Sequence, residues 1–244
     1  MVQPPSPTEN KEIAQLRDRL SSRLDKTRLT ALQGLLDQGE AGQTVLQDAL
    51  LAARDGEQLS WLAGSIYRSL SQNPDPATAA FLQTHFPSGL VPFRSAQGID
   101  YGQLETLLVT EQYQKADAET SAKLCQLAGE SAAKRKWIYF SEAAQLPIED
   151  LQTLDQLWTV YSDGLFGFSV QREIWLSVGR VWENLWPRIG WKDGNKWTRY
   201  PGSFTWNRTA PRGHLPLSNQ LRGVRVMDSL LNHPAFNPDA APPA

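Results

Sequence analysis

Leucines and other apolar residues recur three or four positions apart along most of this 244-residue chain, in short runs broken by Gly, Pro or Asp. That spacing gathers them on one face of a helix, and no stretch shows the strict alternation of a half-buried strand. The chain therefore reads as all-α. In the first third, Ile13, Leu16, Leu20 and Leu24 share a face, with Thr8 as the expected N-cap. Leu29, Leu32 and Leu36 mark a second helix that stops near Gly39. Val45, Leu46, Ala49, Leu50 and Ala53 mark a third, ended by Asp55-Gly56. Leu59, Leu62, Ile66 and Leu70 mark a fourth, and residues 76–86 a short fifth. Connections of a few residues make neighbours antiparallel, so residues 1–88 are expected to form a small helical bundle or a solenoid-like array.

Pro87-Ser-Gly-Leu-Val-Pro92 is the natural linker. Residues 89–238 are expected to form a second domain, with disordered ends before residue 9 and over residues 239–244. Leu104, Leu107 and Leu108 open a helix running to about Lys115, and Asp117 is the expected N-cap of a helix over 118–127. Residues 129–139, small, polar and basic, read as a mobile loop. Pro147, with Glu149 and Asp150 in the first turn, starts a helix whose apolar face carries Leu151, Leu154, Leu157, Trp158 and Tyr161. Ser169 is the expected cap of the next helix, with Ile174, Val178, Val181 and Leu185 inside it and Pro187 beyond its end. A last helix opens at Ser218 or Asn219 and ends at Asn232-His-Pro234.

Several function classes are set aside at this level. A net charge of −2 does not suit an electrostatic nucleic-acid binder. One cysteine, Cys125, allows no intramolecular disulfide and no multi-cysteine metal site, and it fits a reducing compartment. His85, His214 and His233 have no metal-ligand spacing. The phosphate-binding glycine motifs, the helical zinc motif and the nucleophile elbow are all missing. No apolar run approaches the roughly 20 residues that span a bilayer, and the polar, Pro-rich start resembles neither a secretory signal nor a transit peptide. The expectation is a cytoplasmic protein.

The helical pattern fails in one place, and the aromatics collect there. Six of the nine tryptophans, Trp175, Trp182, Trp186, Trp191, Trp197 and Trp206, fall between residues 169 and 236. From Trp186 to Leu217 they share an irregular stretch with Gly190, Gly194, Pro201, Gly202, Pro211, Gly213 and Pro216. Trp197, Arg199, Tyr200, Phe204, Trp206, Arg208 and Arg212 place flat apolar faces beside fixed cations, and Arg222 and Arg225 add two more on one helix face. Such a cup suits a broad, flat, anionic ligand. Trp158, Trp175 and Trp182 lie on helices, where core packing accounts for them, and spacing alone also allows Arg222 and Arg225 to be exposed helix charges.

The runs Gly190-Trp-Lys-Asp-Gly, Lys196-Trp-Thr-Arg-Tyr-Pro201, Phe204-Thr-Trp-Asn207, Ala210-Pro-Arg-Gly-His-Leu-Pro216 and Leu230-Leu-Asn-His-Pro-Ala-Phe236 closely resemble the genomes-uncoupled tetrapyrrole-binding family. The likeness extends back through Phe168-Ser-Val-Gln171, Tyr161-Ser-Asp-Gly-Leu-Phe166 and Tyr113-Gln-Lys-Ala-Asp117, covering residues 100 to 236. The resemblance implies a helical core shaped like a cupped hand that binds protoporphyrin IX and its magnesium form, haem-like tetrapyrroles being related candidates. It implies a non-enzymatic, monomeric accessory of magnesium chelatase, acting on its large porphyrin-binding subunit in chlorophyll biosynthesis. A cyanobacterial member with an N-terminal helical bundle fits best, cytoplasmic and at most peripheral to thylakoid membranes.

Carried over residue by residue, the resemblance assigns Trp197, Tyr200, Phe204, Trp206, Arg212 and Leu215 to the loop wall of the cup. Asn219, Arg222 and Arg225 match its polar positions, and Trp137, Ile138 and Phe140 match the opposite wall. It assigns no catalytic residue and no metal ligand. Two other readings fit the residues alone: a Trp-rich module for carbohydrate or Pro-rich peptide, and an enzyme acting on a tetrapyrrole through a carboxylate such as Glu173.

Overall fold

A computed structural model describes residues 7–56, 59–73, 75–217 and 224–236. The chain divides into two compact units, Met1–Leu90 and Val91–Ala244. In the first, α1 (Pro7–Leu20), α2 (Asp25–Asp37), α3 (Gly39–Arg54), α4 (Trp61–Ser71) and α5 (Pro76–His85) pack each on the next, and α1 also reaches α3. Leu16, Leu20, Leu32, Leu35, Leu46, Leu50, Ile66 and Leu70 form the core. Close approach of α2 and α3 requires Gly42, where a Cβ would sit 1.9 Å from the Leu35 carbonyl oxygen. Ser60 and Asp75 cap α4 and α5 by accepting the N–H groups of Ala63 and Thr78.

The second unit holds α6 (Gly102–Val109), α7 (Tyr113–Leu127), α8 (Glu130–Arg135), α9 (Phe140–Ala143), α10 (Ile148–Tyr161), α11 (Phe168–Ser177), α12 (Trp182–Arg188), α13 (Arg225–Leu231) and a closing 3-10 turn, Pro234–Phe236. Helix α10 is its axis: Leu151, Leu154, Leu157, Trp158 and Tyr161 are fully buried. Polar groups buried with them are paired, as burial without a partner would cost on the order of 1–3 kcal/mol each. The Tyr161 hydroxyl donates to Glu105 at 2.5 Å, Tyr101 to Asp150 at 2.7 Å, and the Trp158 indole N–H to Thr120 at 2.9 Å.

The all-α class holds, with local corrections. Strands β1 (Lys192–Asp193) and β2 (Lys196–Trp197) form a small antiparallel hairpin where no strand was expected. Thr8 lies inside α1 rather than capping it, and Leu24, expected on the buried face, is 68% exposed at the N-cap of α2. The expected helix over 104–115 breaks at residues 110–112, where Glu111 takes a positive φ of 56°. Asp117 sits inside α7, not at its start. Residues 129–139 are mostly ordered as α8, with Lys136 as a left-handed C-cap. Gly167, not Ser169, precedes α11; the Ser169 N–H is capped from outside by Asp155 of α10 at 2.8 Å. The single helix expected through Leu185 is two, split at Gly179 and Arg180, both with positive φ, and Pro187 falls inside α12. The expected start of the last helix at Ser218 or Asn219 and the tail 239–244 lie outside the described residues, as do residues 1–6 of the leading end.

Candidate functional site

Residues 198–217 have no regular structure, yet they are anchored along their length. Thr198 donates its N–H to Trp191 O at 3.0 Å and its hydroxyl to Gly190 O at 2.9 Å. The Trp191 indole N–H donates to His214 O at 2.8 Å. His214 bonds on both ring nitrogens: Nδ1 lies 2.6 Å from Ile189 O, which can only accept, and Nε2 accepts the Thr205 N–H at 3.2 Å. The ring is therefore neutral with its proton on Nδ1, and burial pushes its pKa below the ordinary value. Gln171 of α11 donates to both Gly213 O (3.0 Å) and Pro216 O (2.8 Å). At the far end Asp117 accepts the Leu217 N–H at 2.6 Å.

On this frame the indoles form a ladder. Trp175 stacks on Trp182 at 4.8 Å, Trp182 on Trp186 at 5.3 Å, and Trp186 on Trp191 at 5.8 Å. Trp197 leans on Trp186 at 5.6 Å from the hairpin, with the Lys192 ammonium 5.3 Å from its ring. Each such pair is worth about 0.5–1.5 kcal/mol beyond area burial, so the ladder fixes α12 and the hairpin on α11. It ends in an open face, because Trp197 is 49% exposed. Beyond it Tyr200 is 56% exposed and meets Trp206 edge-on at 5.9 Å. Trp206, half-buried, donates its indole N–H to Pro201 O at 2.9 Å.

A second aromatic wall follows α8. The Arg135 guanidinium caps the Trp137–Tyr139 pair, 4.6 and 4.5 Å from two rings that meet edge-on at 4.4 Å, and pairs with Glu142. Tyr139 and Phe140 are each about half exposed. Helix α13 packs against α9, and the Arg225 guanidinium stands 5.5 Å over the Phe140 ring.

The candidate residues sort by place. Trp197, Tyr200, Trp206, Trp137, Phe140 and Arg225 present surface. Phe204, Ile138 and Leu215 are buried: Phe204 packs against Trp206 and His214, and the Leu215 carbonyl accepts the Gly167 N–H at 3.0 Å. Arg212 is engaged by Glu173 through both guanidinium nitrogens, at 3.2 and 2.5 Å. Asn219 and Arg222 lie outside the described residues. Sequence reasoning missed Arg135 and Tyr139, whose signal was a cation two positions before a Trp-x-Tyr-Phe run. It also missed the seat of the loop, Gln171 and Asp117, because both partners are backbone groups remote in sequence.

Arg208 is neutralised by Asp163 and Glu111, so among the described residues Arg199 and Arg225 are the loop-side arginines without a carboxylate partner. No group of His, Cys, Asp and Glu that could hold a metal ion occurs among the described residues, and no helix there is long and apolar enough to cross a membrane. What the walls offer is broad aromatic contact with guanidinium charge beside it, a chemistry suited to binding.

Comparison with known proteins agrees with this chemistry. Residues 94–234 match the GUN4-like family, and residues 6–87 match the ARM-like repeat domain found at the GUN4 N-terminus. A Ycf53-like protein of Synechocystis is 44% identical over 225 residues, 92% of this chain and 97% of the relative. A chloroplastic tetrapyrrole-binding protein of Arabidopsis thaliana is 41% identical over 142 residues, 54% of each chain. The structure of GUN4 from Chlamydomonas reinhardtii superposes with a TM-score of 0.57 at 39% identity, over 60% of this chain and 94% of that one. This chain belongs to the GUN4-like family.

Proposed function

We propose that the second unit binds a tetrapyrrole, protoporphyrin IX or its magnesium form, between the aromatic loop and the α8–α9 wall. Both walls are attached to α7: the loop is tied to Asp117, and α8 follows Leu127. Asp117 and Leu127 stand about 15 Å apart along the helix at 1.5 Å per residue, so the two walls are attached at separate points of one helix. The macrocycle stacks on Trp197, Tyr200, Trp206, Trp137 and Phe140, while Arg225 takes a propionate. The observation that carries this reading is Arg225 itself, a cation held over an exposed ring with no carboxylate partner among the described residues. Asn219 and Arg222 join the polar set on sequence resemblance alone, and Phe204, Ile138 and Leu215 support the walls from beneath.

The protein then acts as a porphyrin-delivering, non-catalytic accessory of magnesium chelatase in chlorophyll biosynthesis, in a cyanobacterial cytoplasm. Reading the ring and propionates, rather than an axial metal bond, lets one cup take substrate and product. Titration with a soluble protoporphyrin analogue, with and without magnesium, followed by tryptophan fluorescence, tests the binding. Saturable one-to-one quenching supports it, and quenching no greater than with an uncharged apolar dye overturns it. Added to the chelatase subunits, the chain is expected to raise the rate of magnesium insertion while inserting none alone.

A further inference from the structure

Helix α7 buries Tyr113, Ala116, Thr120, Leu124, Cys125 and Leu127 on one stripe, and Asp117 lies in the middle of it, 3% exposed. A carboxylate in a core stripe is costly unless it has a task. Among the described residues its bond is to the backbone N–H of Leu217, 100 residues away, where the described part of the aromatic loop ends. Burial, offset in part by that N–H, pushes the Asp117 carboxyl up to about 7. The pKa of the loop's Tyr200 phenol is raised first by its own burial and second by the Asp117 charge, so the loop feels the group in return.

The surrounding ionisable groups leave Asp117 without a counter-charge among the described residues. From the loop come the Tyr200 phenol and Arg208, and Arg208 is taken by Asp163 and Glu111. On α7 itself Lys115 bonds Gln112, and Lys123 pairs with Glu119. From α10 come Trp158 and Tyr161, from α6 Glu105, which accepts the Tyr161 hydroxyl, and from α8 Lys134 and Arg135, which pair with Glu130 and Glu142.

We infer that Asp117 is a protonation-controlled latch that positions the aromatic loop, so that ligand binding at the loop is coupled to uptake of one proton. This rests on the tetrapyrrole reading of the site. In the neutral acid the carbonyl oxygen still accepts the Leu217 N–H, more weakly than the carboxylate does, but no buried charge opposes it. In the carboxylate the same contact places an unpaired charge beneath a loop that must cover an anionic macrocycle. Closing that cover removes water and adds like charge, both of which favour the neutral form. The bound state is therefore the protonated one, and affinity falls as pH rises through the titration of Asp117.

Protoporphyrin affinity measured from pH 6 to pH 8 on the full chain tests this against Asp117→Asn, which copies the neutral acid. With only the neutral fraction competent, wild-type affinity is expected to fall about tenfold over that range, and the Asn variant to stay flat. The Leu217 amide proton, followed by NMR in the ligand-free protein, is expected to titrate in the wild type and not in the variant. Parallel affinity profiles for the two chains overturn the coupling while leaving the tetrapyrrole reading intact. Absence of porphyrin binding by the wild type at every pH overturns that reading and the coupling with it. A Leu217 amide that does not titrate overturns the latch in either case.

Discussion

The Arg225 guanidinium lies 5.5 Å above the Phe140 ring, joining the first residue of α13 to the first residue of α9. Both side chains are exposed, so the pair adds little to stability and leaves the charge free to meet a carboxylate. Arg225→Ala is expected to weaken tetrapyrrole binding roughly tenfold or more, a charge-assisted hydrogen bond being worth about 1.5–3 kcal/mol. Its thermal midpoint is expected to match the wild type. Porphyrin titration beside a melting curve checks both, and unchanged affinity would remove Arg225 from the site.

Trp197, at the end of β2, and Trp191, just before β1, make a contrasting pair, 49% and 1% exposed. Trp197→Ala gives up its lean on Trp186 and its contact with Lys192, so the expected stability cost is about 1 kcal/mol with a clear loss of porphyrin affinity. Trp191→Ala empties a buried site and strands the His214 carbonyl, and is expected to cost about 3–5 kcal/mol. Urea denaturation of the two variants separates ligand contact from scaffold. Equal stability losses would make Trp197 a scaffold residue.

These two residues also show what the sequence could and could not reveal. The helices announced themselves because burial on one face demands a 3.6-residue period, as on α10, where Leu151, Leu154, Leu157, Trp158 and Tyr161 were all legible. The breaks did not. Glu111 turns the chain through positive φ without a glycine or proline to mark the spot, and at Gly179-Arg180 a single glycine interrupts an otherwise unbroken apolar period. Composition flagged the aromatic loop as a binding element, but its anchors are bonds between side chains and remote backbone, such as Gln171 to Pro216 O and Asp117 to the Leu217 N–H. No local pattern encodes those. Arg212 looked as free as Arg225 in sequence, and only the fold brings Glu173 to it.

Gly213 sets how closely the loop can approach α11. Its φ is +78°, and an added Cβ would lie 2.7 Å from Ile174 Cδ1 and 2.9 Å from Ile189 Cγ2. Gly213→Ala combines left-handed backbone strain with overpacking, each on the order of 1–3 kcal/mol. The expected result is a folded but destabilised protein whose loop no longer seats, with weakened porphyrin binding. Chemical denaturation and ligand titration check it, and wild-type behaviour in both would show that the loop is not held where Gln171 grips it.

His214 makes one contribution to the stability of the second unit that acid removes. Its two bonds, to Ile189 O and from the Thr205 N–H, require the neutral ring, and burial holds the folded pKa below about 6.5, the unpaired value. Between those two pKa values the unfolded chain carries a proton that the folded chain refuses, so this contribution is full above about pH 6.5 and falls as pH drops, against the opposite contributions of Asp117 and Asp155, whose folded pKa values burial raises to about 7 and about 6. Protonation converts Nε2 from acceptor to donor and sets two N–H groups against each other at Thr205. His233, whose Nδ1 accepts the Ala235 N–H and whose pKa burial also lowers, adds a limb of the same sign. His214→Gln is therefore expected to lower stability at pH 7 by about 1–3 kcal/mol, through imperfect replacement of two buried bonds, and to flatten the acid limb only in part. Denaturation midpoints from pH 7 to pH 5, read by tryptophan fluorescence, give the comparison. A variant whose stability changes with acid just as the wild type's does would leave the His214 ring without a part in the pH dependence.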